Sequence, residues 1–387
     1  MVRNIFTLFL VLYPILSAYI VFAPIDLGVI LCTVSGLMAL VVDRFKIKWP
    51  NGYKPFLVYL FFSSLLVTQA IPLRIALYSF LLILGCSYCQ LFKLLQCYKK
   101  VAIVCILFFV FQEIMRIFLG IKISGIFSFL PLVYGDANTY ISNVIMESDR
   151  SSSFFLEPSY FAQYLYPLVV IELFYNREKS YLQKAGLLSL IIFLIRSGNG
   201  LILLSIIWCA WLFVSNVKRK VKIYILLGGF LIFCGILIYN PDIVLEIVNR
   251  SDELSLANAD EQYQSSGFIR FFRGYYLYGT LPLVNQLFGI NPIILESYIY
   301  MNTLGLFNQD VSFLNGFQTV LCQYGFIGLV LVLFHIYSYG KNGNIICYVL
   351  LSGVIFLLLS ESYFISSRML VVMILTYIVK YDKANIV

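Results

Sequence analysis

Charge is what this chain has least of. Only 12% of its 387 residues are Asp, Glu, Lys or Arg and 61% are hydrophobic, whereas soluble domains carry about 25% charge. That scarcity excludes an ordinary soluble fold, and a mean hydropathy of +0.90 reads as an integral membrane protein. Histidine is nearly missing as well. The single His335 falls near the cytoplasmic end of an apolar run, so neither a His-rich metal centre nor an outer-face Ser-His-Asp set can form. No Walker loop and no internal repeat are present. The nine cysteines avoid both long polar loops, which excludes a disulfide framework, and Cys86-x-x-Cys89 sits in an apolar run as plain packing. The net charge of +8 does not gather on a basic, aromatic soluble module, so nucleic acid is excluded as a partner. No metal or other cofactor is expected, and any chemistry falls to carboxylates and arginines.

What the chain does have is one apolar run after another. A bilayer core of about 30 Å takes roughly 20 helical residues. Runs near 4–23, 25–42, 55–71, 73–92, 101–120, 154–174, 185–196, 201–216, 221–240, 313–338, 344–360 and 364–380 predict an all-α polytopic membrane protein with about 12 transmembrane helices, forming one membrane domain over 1–387. The first run is too long for a signal-peptide core and another follows at once, so it reads as a retained span. With both termini cytoplasmic, 18 of the 27 basic residues lie inside, in accord with the positive-inside rule. Two loops are long, 121–153 and 241–312, and both face outward, where loops of such length are usually functional.

The split by residue type carries more than orientation. Inside there are 14 Lys and 4 Arg. The outer side and the bilayer keep Arg74, Arg116, Lys122, Arg150, Arg196, Arg250, Arg270, Arg273 and Arg368. Arginine grips phosphate or carboxylate with a planar fork that lysine lacks, so the outer face reads as built to hold an anion. The plainer reading has these arginines snorkel to headgroups or pair with nearby acids, Arg74 and Arg368 above all.

Four stretches stand out. In RSSSFFLEPSYFAQYL, residues 150–165, Pro158 opens the start of a span and implies a wet cavity. Glu157 beside it is a functional candidate, or else a salt-bridge partner of Arg150, Arg116 or Arg196 or a carboxyl protonated in the bilayer. In FQEIMR, Glu113 and Arg116 share a helical face and either neutralise one another or join an anion site. In RSGNG, residues 196–200, Arg196 stands at the outer surface while Gly198 and Gly200 permit a tight turn with exposed amides. Within 267–291, Arg270 and Arg273 are three apart on one face of an interfacial helix whose length Gly274, Gly279 and Pro282 limit.

Together with Leu-Phe-Gly-Ile-Asn at 287–291, Asn315-Gly316 and Tyr-Gly-Phe-Ile-Gly at 324–328, this layout resembles the bacterial O-antigen polymerases, the Wzy-type oligosaccharide repeat-unit polymerases. The resemblance covers most of the chain in layout and rests on the ensemble of loose motifs. It implies an enzyme of the bacterial cytoplasmic (inner) membrane that is a membrane glycosyltransferase. On the periplasmic side it moves a growing glycan from undecaprenyl pyrophosphate onto a new lipid-linked repeat unit. Its partners are the lipid-pyrophosphate-linked donor and acceptor, membrane lipid, a chain-length regulator and a flippase. Carried onto this chain, the catalytic set is Glu157 as base with Arg270 and Arg273 at the donor pyrophosphate. The substrate-binding set is Arg150, Arg196, Ser159, Tyr160, Asn199, Arg116 and Asn291. An O-antigen ligase shares the layout but calls for a periplasmic histidine. A polysaccharide flippase, from another class, calls for repeats and short outer loops.

Overall fold

The structure is a computed structural model that describes residues 2–22, 25–65, 73–133, 135, 137–141, 150–176, 179–215, 217–224, 227–228, 274–291, 294–295, 297–298, 301 and 314–382. It is mostly helical. The helices are α1 (Val2–Leu16), α2 (Leu27–Val42), α3 (Lys54–Ser63), α4 (Leu73–Tyr88), α5 (Leu91–Leu119), α6 (Ala137–Tyr140) and α7 (Pro158–Phe174). After them come α8 (Tyr181–Leu194), α9 (Gly198–Val214), α10 (Gly274–Thr280), α11 (Leu283–Phe288), α12 (Gly316–Gly340), α13 (Ile345–Ser360) and α14 (Ser367–Tyr381). A helix meets every expected run; of 221–240 the described residues 221–224 and 227–228 are helical, and the rest lies outside the described residues. Among the described residues two helices, α5 and α12, are long and apolar enough to cross a membrane, and several shorter ones are apolar.

Three boundaries differ from the sequence expectation. The run at 4–23 is helical only to Leu16, and Ile20–Phe22 (β1) then pairs antiparallel with Ile25–Asp26 (β2). The β-branched Ile20 and Val21 suit extended backbone, and Ile20 donates to the Pro131 carbonyl (2.9 Å) while Val133 donates to that of Ala18 (3.0 Å). The lysines at 93–100 are not in a loop but extend α5, which runs to 29 residues, about 43 Å at 1.5 Å per residue. No Gly or Pro interrupts LFKLLQCYKK, so good helix formers continue the spiral past the apolar stretch. The run at 154–174 becomes helical only at Pro158.

The chain divides into two compact units. The first, residues 1–207, 330–357 and 363–387, is a bundle in which α1 packs on α2, α5 and α14, α4 on α2 and α14, and α7 on α8 and α14. Two helices form its centre. From Phe161 to Leu173 α7 is buried continuously, as is α14 from Ser367 to Thr376, whereas α5 leaves Val104, Leu107, Phe111, Ile114 and Phe118 exposed. A helix that is apolar all round belongs in a core or a bilayer.

The second unit, residues 208–329 and 358–362, is held by Leu277, Leu281, Ile290, Leu295, Leu314 and Cys322. Here the LFGIN and YGFIG stretches meet. Gly289 (φ +91) faces the Gln323 carbonyl, to which an added Cβ would come within 2.2 Å, and Gly325 (φ +68) faces the Leu287 carbonyl at 2.3 Å. Ile290 donates to the Cys322 carbonyl across the same contact (2.9 Å). Both left-handed conformations cost glycine little, and Gly325 breaks the helical path of α12.

Candidate functional site

The first unit gathers arginines from three separate segments. Arg116 lies in the last turn of α5, where a cation offsets the exposed carbonyls, and its guanidinium donates to both oxygens of Glu113, through Nη2 at 2.6 Å and Nε at 3.4 Å. Arg196, between α8 and α9, brings its Nη2 to 3.8 Å from the same carboxylate. Arg150 donates from Nη1 to the Arg196 carbonyl (3.3 Å). The Glu113 side chain is 16% exposed and that of Arg196 is 41%, so the longer pair reaches toward solvent and is the weaker of the two. The i,i+3 ion pair expected for FQEIMR is observed, and the same carboxylate also faces Arg196.

Two non-glycine residues flanking this cluster hold left-handed backbone, Ser153 (φ 55) and Arg196 (φ 57). For an L-residue that costs about 1–2 kcal/mol, and both are held by neighbours. The Ser153 amide donates to Gln112 Oε1 (2.9 Å) and its Oγ to the Cys105 carbonyl (2.7 Å). Gln112 Nε2 in turn donates to the Ile123 carbonyl (2.9 Å). Phe154 stacks on Phe108 of α5 at 4.4 Å between centroids, and Phe155 packs against Phe161 and Tyr164. The serine and phenylalanine run is therefore a ledge fastened along α5.

Two local expectations are corrected. The tight turn at 196–200 is made by Arg196 and not by the glycines. Gly198 and Gly200 are helical in α9, and Gly200 packs so closely that a Cβ would meet Ala162 at 2.9 Å. Its amide faces the Ser197 hydroxyl (3.4 Å) and offers no open anion cradle. Nor does Pro158 open a helix. It is the first residue of α7, where a missing N–H costs nothing, and the proline inside α7 is Pro167.

Glu157 is the N-cap residue of α7 (φ −132, ψ 148) but its side chain does not cap the helix. It is half-buried, and its Oε2 accepts from the Ser159 hydroxyl (3.1 Å), at a helix end whose dipole favours negative charge. Tyr160 lies under a cation: the Arg368 guanidinium sits 3.5 Å from its ring centroid and 5.7 Å from that of Tyr363. Arg368 is only 9% exposed and donates to the buried Gln163 Oε1, so it does not snorkel. Sequence reasoning set this residue aside. The signal was the Ser-Ser-Arg at 366–368, which repeats the pairing of arginine with serine seen at 150–151 and 196–197. Asn199 is half-buried in the first turn of α9. Asn291 belongs to the second unit, where its carbonyl accepts from the Ile294 and Leu295 amides at 3.0 Å. Arg270 and Arg273 lie outside the described residues.

The geometry thus brings Arg116 and Arg196 to Glu113 with Arg150 on the Arg196 carbonyl, and sets Glu157 on Ser159 and Tyr160 against Arg368. Chemically, this is a cluster of guanidinium groups with an internal carboxylate as counter-ion. No family model and no curated protein matches this chain.

Proposed function

We propose that this protein is a polytopic polymerase of the bacterial inner membrane, with about twelve spans, that joins undecaprenyl-pyrophosphate-linked repeat units on the periplasmic side. The observation that supports the reading is the meeting of Arg116 and Arg196 at the Glu113 carboxylate, with Arg150 on the Arg196 carbonyl beside them, because a pyrophosphate leaving group needs several forked cations. In the reaction the acceptor sugar hydroxyl attacks the anomeric carbon of the donor glycan. The bond from that carbon to the pyrophosphate oxygen breaks, and its electron pair leaves with the lipid carrier. The hydroxyl proton passes to Glu157, and the arginines offset the charge growing on the pyrophosphate. In this scheme Arg270 and Arg273 hold the donor from the 241–312 loop.

The sidedness has support within the first unit. Contacts between distant segments join residues that the lysine count puts on one face. On the inner face these are Arg3 with Asp43, the Lys48 amide with Ser87 (2.8 Å), Lys99 with Glu172 (2.5 Å) and Tyr175 with Asp382 (3.0 Å). On the outer face are Tyr19 with Leu132, Ser153 with Gln112 (2.9 Å) and Arg150 with Arg196 (3.3 Å).

The test is the glycan profile of a deletion strain. A polymerase leaves a single repeat unit on the final acceptor. A ligase leaves the acceptor bare, and a flippase traps repeat units on the cytoplasmic face; either result refutes the proposal. Reporter fusions after Lys48, Lys100, Lys184 and Lys222 should read cytoplasm, and fusions at Asn138 and Asn258 should read periplasm.

A further inference from the structure

In the first unit a cavity of about 530 Å³ opens between Gly52, Phe334, Ser338, Lys341, Asn342, Lys380 and Tyr381. It lies where the turn before α3, the end of α12 and the end of α14 converge, at the opposite end of α14 from Arg368. Two ammonium groups line it. Lys380 Nζ donates to the Ser338 carbonyl (2.7 Å), which leaves two of its three donors for other acceptors, and Lys341 is exposed. Among the described residues neither lysine has a carboxylate within ion-pair distance. Two like charges beside one cavity repel unless an anion sits between them, and the exposed amide side chain of Asn342 adds a further donor. The Lys380 contact also closes the C-terminal end of α12, as cations there commonly do, but that role accounts for one donor of one lysine and leaves Lys341 unexplained.

The rest of the wall is apolar. Phe334, half exposed at 47%, and Tyr381, at 59%, give the cavity an aromatic side next to its cationic one. A small inorganic ion has no use for that side, whereas a phosphodiester on a glycerol and acyl stem has use for both. Basic pockets between helices at the cytoplasmic leaflet suit such headgroups. We infer that this cavity binds a phosphate-bearing anion, the headgroup of an anionic phospholipid of the inner leaflet. The inference rests on the membrane reading of the chain and on its sidedness, and is independent of the polymerase reaction.

The test uses the full-length protein in detergent with added phosphatidylglycerol or phosphatidylcholine, retention being read by native mass spectrometry. Phosphatidylglycerol should be retained at least about tenfold more than phosphatidylcholine, since two phosphate contacts at about 1 kcal/mol each correspond to more than a decade. Lys341→Gln, alone and with Lys380→Gln, should remove that preference, and Lys341→Arg with Lys380→Arg should keep it. The single Lys341 variant changes an exposed side chain and guards against a folding defect. Competition by millimolar inorganic phosphate would assign the same cavity to a free phosphate and overturn the lipid assignment. Equal retention of phosphatidylglycerol by the Gln variants would overturn the site. Sidedness is read separately. Asn342→Cys should gain labelling by an impermeant thiol reagent, above that of the unaltered chain, in inside-out vesicles only. Labelling in right-side-out vesicles would refute the topology while leaving the lipid result to stand or fall by itself.

Discussion

Around Glu113 in the first unit the cations are arginines, two of which share one carboxylate, whereas near the start of α5 and the end of α14 they are lysines, of which Lys99 and Lys380 each take a single partner. Lys99 meets Glu172 and Lys380 meets a helix carbonyl. Arg3 fills both oxygens of Asp43, and its hydrogen bonds and charge hold the Asp43 carboxyl below the ordinary carboxylate range. That pair is closed: one fork, one carboxylate. Glu113 instead serves both Arg116 and Arg196, with Arg150 bound to the backbone beside them. Glu113 is thus a shared carboxylate where Asp43 is a private one.

The comparison breaks most visibly at Glu157. Glu157→Gln should preserve membrane abundance and reduce polymer by about 10²–10⁴-fold, the range of a lost general base, and Glu157→Asp should retain a little activity. Normal chain lengths in the Gln variant would remove Glu157 from the mechanism. Next in size is the exchange of cation type at each end. Arg116→Lys and Arg196→Lys keep charge but lose the fork, and each should lower chain formation by about tenfold or more, whereas Lys99→Arg should leave it unchanged. Equal tolerance at both ends would reduce the outer arginines to point charges.

Smaller effects concern stability, read by thermal unfolding in detergent. Gln112→Leu leaves the buried Ser153 amide without its acceptor and should cost about 1–3 kcal/mol. Lys99→Gln strands the buried Glu172, which keeps only its hydrogen bond from Asn176. Because Lys99 is 38% exposed, the loss should be about 2 kcal/mol, below that of a fully buried pair. Arg196→Gly relieves the left-handed strain and should raise stability by up to about 1 kcal/mol while polymer falls. A variant that loses both would mean that the Arg196 side chain matters chiefly for packing.

Much of the helix layout was legible because apolar run length and lysine position are simple physical signals. The continuation of α5 through Lys93, Lys99 and Lys100 was not, since charge was read as a loop when nothing in LFKLLQCYKK stops a helix. The hairpin at 20–26 was hidden for the opposite reason: hydropathy does not separate an extended Ile-Val-Phe from a helical one. At the site, Glu113 with Arg116 could be read from spacing alone. The reach of Arg196 to Glu113 and of Gln112 to Ser153 is tertiary and leaves no local trace. The error at RSGNG came from assigning the left-handed residue by composition, whereas tight packing of α9 on Ala162 requires Gly200 for space and leaves the turn to Arg196.

The facing of Gly289 and Gly325 has a consequence for how this chain can vary. Each glycine abuts a peptide carbonyl and not a side chain, so a methyl group added at either place cannot be answered by shrinking a neighbour. Compensating pairs, the usual route by which packed positions drift together, are closed here. In a saturation library the two positions should each accept glycine alone, and no second-site change among the surrounding side chains should rescue a replacement at one of them.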